Sequence, residues 1–387
     1  VKKLLLLLIF PTLVFSHEKI RILDSETSKP ISSVRLISNE NVYYSNEEGY
    51  ILLPENTGNW EVSAFGYISE KVKIHPETVF LKPKYQDIDE VKIVSIDFQK
   101  ILKNVSKNYD KIYYNEPQLF DISIRQKAFE NNEMKLLMVA DGKFWSLDGN
   151  YNAKKAFNGA FDDFIQIQLD HLRYLKSEAF GNPIKSKKQN VSHDNVGDMF
   201  LSYELFRTLG LSNRKHTKAS GKLLNDNGEE QEISFLIKND ENMIYRGNIL
   251  YNKKDNAITH FELDFEQSQS ERRKLEDEDG TSYERQLGDG KIFFDYYKSG
   301  EKYVPSKMGY ASEKFKTITE KGDFEYRSAR EIIFKNFQPA EDKKLDNPIN
   351  LSTSYWNNMT VAKDKGETLL TKEEEEFINE KSNEIQD

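Results

Sequence analysis

Residues 261–265, Phe261-Glu262-Leu263-Asp264-Phe265, alternate apolar and acidic side chains without a break, the period of a strand with one face buried and the other in water. Turn clusters bracket this run on both sides. Asn225-Asp226-Asn227-Gly228 and Asn252-Lys253-Lys254-Asp255-Asn256 lie upstream, and Lys298-Ser299-Gly300-Glu301 and Lys321-Gly322-Asp323 lie downstream, before Phe324 and Tyr326 alternate again. Short turns force successive strands to lie side by side, and the shared apolar face needs a cover. The half of the chain around residue 261 therefore predicts a long, twisted antiparallel sheet curled over a helix or two.

Toward the N-terminus, Phe120, Ile122 and Ile124 repeat the alternation, and the runs 136–139 and 144–147 predict a hairpin turning at Asp141-Gly142. Gly288-Asp289-Gly290 reads as another hairpin turn. Phe161, Phe164, Ile165, Ile167, Leu169, Leu172 and Leu175 recur at helix-like intervals, and residues 200–209 form a second, shorter helical candidate. Phe98, Ile101, Leu102 and Val105 predict a short helix near 97–108, after an extended stretch at 91–96. The acidic tail from Thr371, with Glu373-Glu374-Glu375-Glu376 before Phe377-Ile378, predicts an exposed helix or frayed end.

The first 95 residues are organised differently. Lys2 and Lys3 precede an unbroken apolar run at 4–10, and Val14 and Ser16 sit at cleavage-like spacing, so residues 1–16 are expected to be an export signal cut before His17. The apolar run is shorter than the roughly 20 residues of a membrane span. Ile20 and Ile22, then Val34 and Leu36, alternate on either side of the turn cluster at 24–30. Ser45-Asn46-Glu47-Glu48-Gly49-Tyr50 follows, then Ile51-Leu52-Leu53, and Trp60-Glu61-Val62-Ser63 leads into Gly66-Tyr67. Several short strands with turn residues between them predict a β-sandwich over 17–83.

At these residues the chain resembles the carboxypeptidase-like regulatory domain, a transthyretin-like seven-strand module of bacterial envelope proteins. The resemblance rests on four elements in order: Asp24 to Pro30 with Ser33-Val34, the Ser45 to Tyr50 turn, Ser63 to Tyr67, and Val79-Phe80-Leu81-Lys82-Pro83 with Ile88-Asp89-Glu90-Val91. The opening strand lacks the family's Gly-x-Val start, and Glu48 stands where its turn has Asp. The resemblance covers about a fifth of the chain and implies a spacer or interaction module with no catalytic residue. The expected organisation is a signal at 1–16, the sandwich at 17–83, a linker and helix at 84–108, a β-rich domain at 109–340 and an extension at 341–387. The outline of the large region is similar to the half-barrel of periplasmic lipoprotein-carrier proteins, without a sequence motif of theirs.

Composition narrows the function. The formal net charge is −9, which disfavours a nucleic-acid partner, and Lys185-Ser186-Lys187-Lys188 reads as a solvated loop. With no cysteine, thiol catalysis and disulfides are excluded. The six histidines, His17, His75, His171, His193, His216 and His260, are scattered singly, without a His-Glu-x-x-His, and His75-Pro76-Glu77 reads as a surface loop. His260 is expected to face solvent. Glu276-Asp277-Glu278-Asp279 lacks the alternation of a calcium loop and reads as a solvated turn. The doublets Tyr43-Tyr44, Tyr113-Tyr114, Phe293-Phe294 and Tyr296-Tyr297 place one ring on each face of a strand, to be covered by a second layer or left to stack on a ligand.

No catalytic, cofactor-binding or metal-ligating residue is assigned. The expectation is an exported, non-enzymatic protein of the periplasm or outer-membrane periphery, mainly β, that binds a protein, glycan or lipid. The rival readings are an envelope hydrolase without a recognisable motif and a nutrient-uptake accessory.

Overall fold

The computed structural model describes residues 18–38, 41–53, 59–73, 77–84, 94–185, 198–341, 344–351 and 368–380. The export signal, His17, His75 with Pro76, His193, most of the linker and the end of the tail lie outside them. The described residues fall into two compact units, one within Val1–Tyr85 and Lys365–Glu373, the other within Gln86–Asp364 and Glu374–Asp387.

The first unit holds seven strands in two sheets. β1 (Glu18–Asp24) lies between β4 (Tyr50–Leu53) and β7 (Thr78–Leu81), and the second sheet runs β3 (Asn41–Tyr44), β2 (Arg35–Ser38), β5 (Asn59–Ser63), β6 (Glu70–Lys73). Alternate residues turn inward: Ile20 and Ile22, Val34 and Leu36, Ile51 and Leu53, Trp60 and Val62, Val79 and Leu81 form one core. The polar positions of the N-terminal motifs meet across this unit. Asp24 accepts hydrogen bonds from the backbone N–H of Glu26 and Thr27 and from the Tyr67 hydroxyl at 2.9 Å, so one carboxylate closes the first turn and ties it to the Gly66-Tyr67 turn. Gly49 has φ +78° and its Cα lies against the Ile22 carbonyl, where a side chain would collide.

The second unit is built on one large open antiparallel sheet. Its path runs β11 (Ile165–Ser177), β10 (Glu133–Ser146), β9 (Gln118–Glu130), β20 (Gly322–Pro339), β19 (Lys302–Thr319), β18 (Asp289–Ser299), β15 (Ala257–Glu266), β14 (Ile244–Asn252), β13 (Glu230–Lys238), β12 (Lys218–Asp226), β8 (Val94–Ser95). The hairpin β16 (Arg273–Glu276) with β17 (Ser282–Gln286) joins it through β19. The predicted turns at 225–228, 252–256, 298–301 and 321–323 each connect neighbouring strands. The mainly β architecture with a few helices, expected from the alternation, is the one observed.

One face of this sheet carries the core. Phe261 sits opposite Phe294, Phe294 opposite Met308, and Met308 opposite Ile332, all buried. Over it lie α1 (Phe98–Lys107), α2 (Tyr109–Ile112) and α4 (Leu201–Ser212), while α3 (Ala153–Phe157) follows β10. Asp97 caps α1 by accepting from the Lys100 N–H, and the Phe98 ring stacks on Phe235 with centroids 4.7 Å apart. The tyrosine that ends α2 docks that helix on the sheet: the Tyr113 hydroxyl donates to the Ile258 carbonyl and accepts from the Ile258 N–H.

Three sequence expectations about local structure are corrected. Residues 161–175 are not a helix: a single 3₁₀ turn at Phe161–Asp163 precedes β11. Two register shifts between β10 and β11 break the period of two, so Leu172 and Leu175 fall at intervals that imitate a helix. Asp141-Gly142 is not a turn either; β10 runs straight through it, and Gly142 sits at one of those shifts, where its Cα abuts the Gln168 carbonyl too closely for any side chain. The hairpin turns instead at Asn131 and Asn132, both at positive φ (51° and 68°), the pair of left-handed residues that a two-residue turn needs. Gly288-Asp289-Gly290 is a break in an almost continuous strand, since β17 and β18 both pair with β19.

Among the described residues of the tail a helix forms as expected, exposed at Lys372, Glu373, Glu375 and Glu376 but buried at Glu374 and Phe377. α5 (Lys372–Asn379) packs, from Glu374 onward, on the sheet face opposite the helices. Glu374 is fully buried and receives Arg125 at 2.7 Å and Lys127 at 3.5 Å, both from β9. Lys176 lies over the Phe377 ring and donates to its carbonyl. Among the described residues, no helix is long and apolar enough to cross a membrane.

Candidate binding groove

The helices cover only part of the core face. Beyond them, toward the β19–β20 hairpin, the same face stays open as a groove of about 770 Å³, within the roughly 300–1,000 Å³ range of small-molecule sites. Its floor comes from four strands: Phe265 on β15, Tyr283 and Arg285 on β17, Tyr310, Ser312, Phe315 and Thr317 on β19, and Tyr326 and Ser328 on β20. Pairing aligns these positions, with Ser312 opposite Ser328, Phe315 opposite Tyr326 and Arg285 opposite Thr317. Tyr310 follows Met308 at the strand period, so the groove floor continues the buried core.

Two glycines make room for its rings. A Cβ on Gly290 would strike the Phe265 ring, and one on Gly288 would strike Phe315. The Gly288-Asp289-Gly290 motif thus seats aromatics, with Asp289 accepting from the Gln267 and Ser268 backbone and from Lys314. The β19 irregularity between Ser312 and Phe315 keeps both on the groove face although they are three residues apart.

A strap of chain after β11 forms the wall, contributing Phe180, Asn182 and Ile184. Both its ends are tied to carboxylates. Glu130, buried at the end of β9, accepts from the backbone N–H of Gly181 and Asn182 at 2.5 and 3.2 Å. At the other end Asp277 accepts from the Lys185 N–H, and Lys185 pairs with Asp279 at 2.7 Å. Burial, and then the Glu130 charge, push the Tyr326 hydroxyl up to about 12, so it stays protonated at neutral pH.

The acidic turn predicted as solvated therefore has a structural task. The Asp277 carboxylate takes the backbone N–H of Thr281, Lys185 and Asp279, which hold it below the usual carboxylate range against the cost of burial. Glu276, Glu278 and Asp279 are exposed. Among the described residues, no group of three or more histidine or acidic side chains is placed to hold a metal ion.

The remaining candidates lie away from the groove. His171 and His216 are exposed. His260 is not solvent-facing as expected: its Nδ1 lies 2.6 Å from the Asp295 carboxylate, and both are largely covered. They occupy the sheet face opposite the groove, beside a buried Lys307 that pairs with Glu331 at 2.8 Å. The aromatic doublets are mostly covered. Tyr44, Tyr113, Phe294, Tyr296 and Tyr297 are buried, and Tyr113-Tyr114 follows α2, outside any strand.

Sequence reasoning found β15, β20 and the turns that bound β19, and missed β17 and the groove. Its only local traces are the alternating aromatics of β15, β19 and β20 and the glycines opposite them.

No protein-family model matches the sequence, and no curated protein matches it either. Some solved structures share part of its outline at low similarity. A DUF1329 family protein from Desulfovibrio piger is 9% identical over 63% of this chain and 94% of its own, with a TM-score of 0.28. A putative outer membrane lipoprotein-sorting protein domain from Vibrio parahaemolyticus is 11% identical over 62% and 93%, with a TM-score of 0.24. A LolA superfamily protein from Nitrosomonas europaea is 11% identical over 64% and 94%, with a TM-score of 0.23. At these scores none of them carries a function across to this chain.

Proposed function

We propose that the protein is an exported, non-enzymatic binding protein of the cell envelope whose groove takes the hydrocarbon part of a lipid-like amphiphile. The observation that carries this reading is the groove itself: about 770 Å³, floored by Phe265, Tyr283, Tyr310, Phe315 and Tyr326, and continuous with the hydrophobic core. Covering such a surface with an apolar chain removes it from water at roughly 25 cal/mol for each Å². Ser312, Thr317 and Ser328 add hydroxyls that can orient a ligand without demanding a charge. The residues with chemistry to offer, His260 and Asp295, face the other way, which favours binding over hydrolysis. The signal-like residues 1–16 support export, and the seven-strand unit, with Asp24, Gly49 and Tyr67 in their structural roles, supports a carboxypeptidase-like regulatory module acting as spacer or docking element.

Titrating monododecanoylglycerol, a neutral amphiphile, into the full chain by calorimetry tests the reading. Saturable binding at one site is expected, with Ser312→Trp, which fills the groove floor, abolishing it while the fold is retained by circular dichroism. Binding that Ser312→Trp leaves unchanged, or no binding by the native chain, would overturn it.

A further inference from the structure

We infer that the groove's ligand is anionic, and that Arg273 and Arg285 together hold its charged group. The inference rests on the groove being a binding site and adds the chemistry of the ligand's polar end. In the β16–β17 hairpin Arg273 stands directly opposite Arg285. Residues directly opposite in an antiparallel pair share a face, with Cβ atoms about 4.5–5.5 Å apart, and like charges there are destabilising.

The usual remedy is a carboxylate, and none is supplied. Neither arginine forms an ion pair among the described residues, although their neighbour Arg272 is matched by Glu284 at 3.4 Å. On its other side Arg285 meets Thr317, which is uncharged. Both arginines are exposed, and Arg285 lines the groove two residues from Tyr283.

The groove's other charges are already answered. Lys316 pairs with Glu325 at 2.9 Å, and Asp198 contributes to holding the Arg207 guanidinium charged. Two adjacent guanidinium forks at the edge of an aromatic-floored groove suit a phosphate or carboxylate, which can accept paired N–H donors from each. An amphiphile laid along the groove then places its hydrocarbon on the rings and its anionic head on the arginine pair. Binding also relieves the repulsion between the two cations.

The test compares dodecyl phosphate with dodecanol, which share a chain and differ in the head. Dodecyl phosphate is expected to bind more tightly by about tenfold, the scale of two partly exposed charge-assisted contacts. That advantage, read as the ratio of the two affinities, should shrink with added salt and vanish in Arg273→Gln/Arg285→Gln. Equal affinity of the native chain for both ligands would overturn the inference while leaving the groove reading intact. Binding of neither would remove the groove reading and this inference with it. Inorganic phosphate alone serves as the third arm: binding as tight as that of dodecyl phosphate would mean a free-anion site unconnected to the groove, and would also overturn the proposal.

Discussion

Tyr113→Phe isolates the contact that docks α2 on the sheet. β15 pairs with β18 only from His260 onward, so the backbone groups of Ile258 on that edge have no strand partner. The Tyr113 hydroxyl supplies both bonds, at 2.9 Å to the carbonyl and 3.0 Å from the N–H. Tyr113 and Ile258 are both buried, so water cannot take over when the hydroxyl is lost. The ring remains and no large cavity opens. Two buried backbone groups at about 1–3 kcal/mol each give an expected loss of about 2–6 kcal/mol. For a unit of this size that lowers Tm by about 5–15 °C.

Tyr109→Phe is the matched control. Among the described residues its hydroxyl reaches only Tyr296, at 3.4 Å, and its loss should cost about 1 kcal/mol or less. Urea unfolding followed by circular dichroism gives the global difference, and hydrogen exchange at the Ile258 amide gives the local one. A Tyr113→Phe variant within about 0.5 kcal/mol of the native chain, the range of an inconsequential surface change, or one no less stable than Tyr109→Phe, would refute the reasoning.

Other expectations follow from single contacts. Glu374→Ala leaves Arg125 and Lys127 without their shared carboxylate, so α5 should lose hydrogen-exchange protection and the unit about 3 kcal/mol, the lower end for a broken buried pair because Arg125 is partly exposed; unchanged protection of α5 would contradict the docking. In the first unit the Thr27 N–H foremost, with the Glu26 N–H and the Tyr67 hydroxyl, lowers Asp24 to about 2 despite its partial burial. Its contribution is therefore present above its ordinary value near 3.8 and lost as pH falls toward 2. Asp24→Asn should destabilise the unit at pH 7 and match the native chain near pH 2, as acid-dependent unfolding curves would reveal. Gly290→Val should push Phe265 out of the groove floor and weaken monododecanoylglycerol binding about tenfold, the scale of misplacing one apolar contact, and native affinity would show that Phe265 does not line the occupied site.

The parts of the fold legible in the sequence were those with local causes. Alternation in β9, β15 and β20, turn clusters at four hairpins, and the helical spacing of Phe98, Leu102 and Val105 each depend on neighbours a few residues away. The misreadings came where a distant partner changed the local rule. β11 looked helical because its bulges are set by β10, and Gly142 looked like a turn because its close approach to Gln168 is visible only in three dimensions. Asn131-Asn132 make the turn at positive φ without the glycine that marks such turns most plainly. The groove was illegible for the same reason: its wall follows β11 while its floor comes from strands up to 150 residues later, from Phe180 to Ser328. The Arg273–Arg285 pair depends on the register of a hairpin whose strands, at four and five residues, are too short to announce themselves by period.

The most direct test of the groove as the binding site is photolabelling of the native chain with a dodecanoyl probe carrying a diazirine on its chain, followed by peptide mapping. Adducts should concentrate on Phe180, Phe265, Tyr310, Phe315 and Tyr326 and disappear when monododecanoylglycerol is added in excess. Adducts scattered over the sheet face that holds His260 and Lys307, or labelling that the competitor does not reduce, would contradict the account.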